Sequence, residues 1–332
     1  ASTVSGVISL NGATAQLTLS GTVDVSGEIL AGAGTLNLVN AVVTADGAGA
    51  GVTANAAATL NAVDLHAING GVLSLLGAAS FISASGGNSI DASGVGSRVA
   101  LSGLSSFTGG GGGSTQITAL SGGEVVVSGD VDGYSVWTLD GSGGALDVSA
   151  VTSLVDATVN VSDSAVLTFS AVTSLARTSL SATNGGQLLF PMATSYVSGV
   201  RASYDIAASD AGSRIDLSQL STMVGSDAYH GDRLAVTASG GGEVNLAGAI
   251  SGYTVLTLAD AGSTLDVAGV TSLQDSSVSI SDGGTADFSA LTELTRVSLS
   301  ASGGGQLLFP VATSYVSGVR ASYDIAASDA GS

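Results

Sequence analysis

The sequence predicts an all-β chain folded as a right-handed parallel β-helix (β-solenoid) with rungs of about 20–30 residues, and three observations lead there. A long stretch, ATSYVSGVRASYDIAASDAGS, occurs at Ala193–Ser213 and again without change at Ala312–Ser332, an offset of 312 − 193 = 119. Short runs of Val, Leu, Ile, Ser and Thr alternate with Gly, Asn and Asp, and Gly alone is 49 of 332 residues. Such punctuation marks many short strands and tight turns. Apolar residues make up 45% of the chain and aromatics only 4%, so the core must be aliphatic. A mean hydropathy of +0.50 separates the chain from disordered sequences, which combine low hydrophobicity with high net charge.

The segments follow in chain order. Residues 1–68 hold period-two strands, AQLTLSGTVDVS and GTLNLVNAVVT, without a clear rung signature, and are expected to form an irregular N-terminal part of the solenoid. Residues 69–140 form a divergent repeat: NGGVLSLL at Asn69 matches NGGQLLF at Asn184, and GSRVALSGLSSF at Gly96 matches GSRIDLSQLSTM at Gly212. That second offset is 212 − 96 = 116, and the run Gly109–Gly113 supplies slack that restores 119 by Gly122, where GGE pairs with GGE at Gly241. GYSVWTL at Gly133 and GYTVLTL at Gly252 share the 119 offset.

Residues 141–259 are read as one five-rung super-repeat of 119 residues, with rungs starting at 141, 163, 184, 210 and 240. Residues 260–332 are a partial second copy, expected to continue in a longer parent protein. The chain opens at Ala1 without a signal-like apolar stretch, as expected of a processed chain or a fragment.

A rung reads as a turn, an apolar-x-apolar strand, a Thr-Ser corner and a second such strand, as in ALDVSAVTSL at Ala145 and TLDVAGVTSL at Thr264. Aligned rungs give columns. Leu146, Leu167, Leu188, Ile215, Val244 and Leu265 form the first, and Val148, Phe169, Phe190, Leu217, Leu246 and Val267 the second. Strand alternation sends both to one face. A third column is Val151, Val172, Ala193, Leu220, Ile250, Val270 and Leu291; a fourth is Leu154, Leu175, Tyr196, Met223, Tyr253, Leu273 and Leu294. Extra residues in the rungs at 184 and 210 are expected to loop out as excursions, Ser198–Tyr204 and Gly225–Arg233. Trp137 takes the strand position of Leu256 and is expected in the core.

Seven Arg, no Lys and 26 acidic residues give a net charge of −19, which argues against nucleic acid as a partner. No 18-residue apolar run exists, so no helical membrane span is expected. Without Cys there is no disulfide framework and no thiolate zinc site. The turn acids Asp163, Asp210, Asp260 and Asp282, with Asp329 and Asn184 in the same position, are the candidate Ca²⁺ ligands, because stacking sets such groups about 4.8 Å apart. The competing reading is that they cap turns beside Gly, and the calcium nonapeptide GGxGxDxUx is absent. Asp147, Asp216, Asp266 and Asp287 fall between inward columns and should face solvent, deterring lateral sheet pairing.

No catalytic constellation emerges: His66 and His230 lie far apart, and no carboxylate pair is singled out for glycoside chemistry. The chain is therefore not expected to be an enzyme. Arg201 and Tyr204, repeated as Arg320 and Tyr323, would make a periodic contact site on the excursions. The corner threonines Thr152, Thr173, Thr194, Thr271, Thr292 and Thr313 raise an ice-binding alternative, in a column one residue wide and flanked by Glu293.

From Asn69 onward the LDVSAVTSL-type rungs resemble the β-helical regions of bacterial adhesins, including autotransporter passengers and filamentous-haemagglutinin-like surface proteins. The resemblance implies an extracellular or cell-surface location and an adhesive or spacer role, with self-association into fibres or a surface glycan as partners. A carbohydrate-binding or carbohydrate-cleaving groove is the alternative; it would show an exposed aromatic row or a clustered acid/base set, and only isolated Tyr204, Tyr229 and Tyr323 stand out.

Overall fold

A computed structural model describes residues 1–200, 202–227, 231–318 and 323–332. Among these residues the regular structure is parallel β-strand, with no α-helix. The chain divides into two compact units, Ala1–Asn160 and Val161–Ser332, and each is a parallel β-solenoid of stacked coils.

In the first unit, register-matched pairs run from coil to coil. Ile8, Ile29, Val52, Leu73, Val99, Val125 and Leu146 form one continuous inward ladder. Val23, Val43, Leu65, Ile90, Ile117 and Trp137 form another. Residues 1–68 are therefore in register with the coils that follow. Their rung signature is hidden because strands Gln16–Val25, Thr35–Asp46 and Ala58–Ile68 carry the chain through the corner without a Thr-Ser step. One residue in the left-handed region makes the bend in each: Gly21 (φ 69°), Asn40 (φ 49°) and Ala62 (φ 53°). Phe81 stacks on Phe107 at 4.8 Å, and Phe107 meets Trp137 at 6.0 Å. Trp137 is fully buried, as its column position predicts.

The second unit bears out the first predicted column pair by pair: Leu167–Leu188, Leu188–Ile215, Ile215–Val244 and Val244–Leu265 face each other across neighbouring coils. Phe169 and Phe190, second-column neighbours, stack at 5.1 Å. The other strand ladder runs Leu180, Ile206, Val236, Leu256, Val278 and Leu299.

The fourth column needs correction. Met223 pairs with Ile250, and Ile250 with Leu273; Tyr253 lies beyond the strand Glu243–Ser251, and Gly248, rather than Ile250, stands opposite Val270. From Val267 to Leu273 is six residues, but from Leu246 to Ile250 only four. The corner at 240–259 is thus shorter by two, and Gly248 (φ 80°) makes it. Gly129 (φ 86°) does the same in Glu124–Asp132, one super-repeat earlier. No larger residue fits easily: a Cβ on Gly248 would lie 2.4 Å from the Ser221 carbonyl oxygen, and one on Gly129 2.5 Å from the Ser105 carbonyl carbon. Left-handed backbone and close approach both select glycine.

Candidate functional site

The turn acids lie along the coil edges, and nearly all adopt the conformation that Asp and Asn tolerate best. Asp163 (φ 55°), Asn184 (φ 49°), Asp210 (φ 71°), Asp282 (φ 50°) and Asp329 (φ 74°) are all left-handed. Their polar groups reach the neighbouring coil. Asn184 Nδ2 donates to Asp163 Oδ1 at 3.2 Å, and the Asn184 backbone N–H donates to Asp210 Oδ2 at 3.4 Å. Asp260 accepts the Gly240 N–H at 2.8 Å on one oxygen and the Gly262 N–H at 2.9 Å on the other. The Gly240 N–H first, and Ser263 and Gly262 after it, hold the Asp260 carboxyl below its usual range. Hydrogen bonds to the ionised form have that effect.

At three turns, two of them opened by Asp210 and Asp260, a serine repeats one contact: Ser97, Ser213 and Ser263 Oγ accept the N–H of Gly70, Gly185 and Gly241, each at 2.9 Å. Among the described residues no group of three or more His, Cys, Asp or Glu side chains is arranged to hold a metal ion. The turns of Asp260 and Asp282 are neighbours, their coils joined by the Ala261 N–H donating to the Asp282 carbonyl at 3.0 Å.

Of the predicted contact residues, Arg201 and Arg320 lie outside the described residues, as do Tyr229 and His230. Tyr204 opens the strand Tyr204–Ser209, half-buried and in register with Leu234, so the first excursion ends one residue earlier than expected. Tyr323 is half-buried and sits against Arg296: a Cβ on Gly318 would lie 2.9 Å from Tyr323 Cε2 and 3.0 Å from Arg296 Cδ. Arg296 makes two hydrogen bonds to Asp275. That contact holds the Asp275 carboxyl below its ordinary range and raises the guanidinium, to which Tyr323 also contributes. In the other copy Gly199 presses on Arg177 in the same way, 3.1 Å from a built Cβ to Arg177 Cγ. Arg177 and Arg296, one super-repeat apart, both have φ near 50° (48° and 53°). Gly199 and Gly318 are therefore each seated on an arginine at the same point of the 119-residue repeat, a feature not singled out from the sequence.

Sequence reasoning also missed a polar cluster in the first unit. His66 Nδ1 is hydrogen-bonded to Asp91, directly opposite it on the next coil. Its Nε2 is 3.5 Å from Ser89 Oγ. Asp64 Oδ1 accepts the Ser89 N–H at 2.8 Å and Asn88 Nδ2 at 2.9 Å. The Asp91 hydrogen bond raises the His66 pKa, with the Asp91 and Asp64 charges adding, against the effect of burial. The carboxylate–imidazole–hydroxyl order is that of a nucleophile relay, with the Ser89 hydroxyl at the edge of hydrogen-bond range. The Ser89 N–H is already engaged by Asp64. The cluster ties two neighbouring coils together. One signal could have found it: 91 − 66 and 89 − 64 are both 25, one local coil.

Two ion pairs join the GSR and GGE motifs. Arg98 Nε lies 2.8 Å from Glu124 Oε2, and Arg214 Nε 3.1 Å from Glu243 Oε1, each pair in strand register. Of the acids expected to face solvent, Asp147, Asp266 and Asp287 are exposed, whereas Asp216 is half-buried and accepts a hydrogen bond from Arg214 at 2.9 Å. Three of them, Asp147, Asp216 and Asp266, accept the N–H two residues on, a local turn bond.

Comparison with protein-family models, curated proteins and solved structures finds no match.

Proposed function

We propose that the chain is a structural and adhesive module of an extracellular or cell-surface protein, a spacer whose repeated excursions are its contact points. The observation that supports this most is that excursion and scaffold repeat together. Gly199 lies against Arg177 and Gly318 against Arg296, the same position of each 119-residue repeat, while turn side chains are engaged by neighbouring coils. Such a chain adds length by adding coils, because stability in a solenoid comes from nearest-neighbour interfaces. Contact residues on loops held by a rigid scaffold are the usual arrangement for recognition. Fibre formation through matching excursions and attachment to a surface glycan both fit this role, and neither demands catalysis.

Electron microscopy of the chain beside a variant carrying one more copy of residues 141–259 tests it. Five added coils at about 4.8 Å should lengthen the particle by about 24 Å. Unchanged particle length would overturn the spacer reading. Repeating the measurement with a calcium chelator assigns the turn acids: shortening or unfolding makes Asp163, Asp210, Asp260 and Asp282 cation ligands, and no change leaves them as caps.

A further inference from the structure

The excursion Gly109–Ser114 is locked to the following coil by an antiparallel bridge. Gly110 and Tyr134 exchange N–H···O bonds of 3.1 Å each, the Gly109 N–H donates to the Asp132 carbonyl at 2.7 Å, and the Gly112 and Gly113 N–H groups both donate to the Ser85 carbonyl. Close approach explains the glycine run here: a Cβ on Gly109 would lie 2.5 Å from the Tyr134 carbonyl oxygen. This fixed backbone does not cover the Tyr134 side chain, which is 53% exposed. Tyr134 lines an open cleft of about 380 Å³ together with Gly112, Ser114, Val136, Asp156 and Thr158.

We propose that this cleft binds a pyranose ring of a neutral glycan, stacked on Tyr134. The lining holds the groups such a ring needs: Tyr134 and Val136 for the C–H face, and the Ser114 and Thr158 hydroxyls for the hydroxyl edge, beside Asp156, which is itself engaged within the protein. An amphipathic aromatic ring on a pre-formed backbone loses little conformational freedom on binding. A few placed polar groups on a largely pre-formed concavity are the usual anatomy of a small-ligand site, and the volume lies at the small end of the range, about 300–1,000 Å³. Asp156 in the lining and the net charge of −19 select against uronate or sulfated sugars. The equivalent tyrosine one super-repeat on, Tyr253, is held by the same kind of bridge, to Ser226, but is half-buried; it is the internal control. This reading is independent of the spacer reading, since a sugar site requires no added length per repeat.

The test is isothermal titration calorimetry with gluco-, galacto- and manno-oligosaccharides and with uronate oligomers of equal length, on the full chain and three variants. At least one neutral series should bind the parent chain, Tyr253→Ala and Tyr134→Phe alike, because the plate and not the phenol hydroxyl does the stacking. Tyr134→Ala should bind at least about tenfold more weakly with its melting temperature unchanged. Absence of binding by every neutral series, equal binding by Tyr134→Ala, or preference for uronates would overturn the proposal.

Discussion

The two copies of the Gly-Tyr strand differ in whether a buried hydroxyl has a partner. In the first, Ser135 is 1% exposed and its Oγ accepts Trp137 Nε1 at 3.0 Å. In the second, Leu256 stands where Trp137 would be, and Thr254, fully buried, has no hydrogen-bond partner for Oγ1 among the described residues. An unsatisfied buried hydroxyl costs about 1–3 kcal/mol in desolvation. Thr254→Val keeps the shape and removes that group, so it should stabilise its region by about 1 kcal/mol. Ser135→Ala removes an acceptor from the indole N–H and should destabilise by about 1–2 kcal/mol. Solenoids need not unfold in one step, so the assay is native-state hydrogen exchange, reading amides of Thr254–Leu258 and Ser135–Leu139 separately. The sign is the decisive result: if Thr254→Val loses protection as Ser135→Ala does, the orphan-hydroxyl argument is wrong.

The corner glycines should rank by contact. Gly248→Ala forces both a left-handed φ, about 1–2 kcal/mol, and a shift of the Ser221 backbone, whereas Gly21→Ala, with nothing within 4 Å, carries the φ cost alone; denaturant titration should place the first well below the second. The His66–Asp91 contact raises the histidine pKa above its ordinary 6.5, so its stabilisation is fully present below pH 6.5 and is lost as pH rises through the folded value. Asp91→Asn should move the His66 titration, followed by NMR, downward; an unmoved titration would refute the contact. Asp275 has the opposite sign: its lowered pKa gives stability present above its ordinary 3.8 and lost as pH falls through the folded value. Arg296→Gln should return the Asp275 titration toward that ordinary value.

The inward columns were legible because burial repeats at strand period, and Leu188, Ile215 and Val244 need no knowledge of the corners to be aligned. The column after the corner was not, once Gly248 replaced the Thr-Ser step and shortened the path by two residues; Tyr253 was then aligned where Ile250 stands. Residues 1–68 hid their rungs for the same reason, with Asn40 and Ala62 bending a strand that reads as unbroken. Site features were harder still. The His66 cluster and the seating of Arg296 on Asp275 and Gly318 depend on neighbours one or two coils away, and no local motif marks them. The Tyr134 cleft arises from a loop pinned back by its own backbone, which composition does not encode.

The turn contacts also restrict how such a chain can change length. Asn184 stands between Asp163 and Asp210, donating a side-chain amide to one and a backbone N–H to the other. Deleting that one coil would set two carboxylates against each other. The neighbours Asp260 and Asp282 escape this because Asp260 turns toward Gly240, Gly262 and Ser263. Duplication or loss of a whole super-repeat keeps each turn beside a turn of the kind it already meets. Gain or loss of 119 residues is therefore expected to leave these turn contacts intact, whereas loss of the single coil that carries Asn184 is expected to break them.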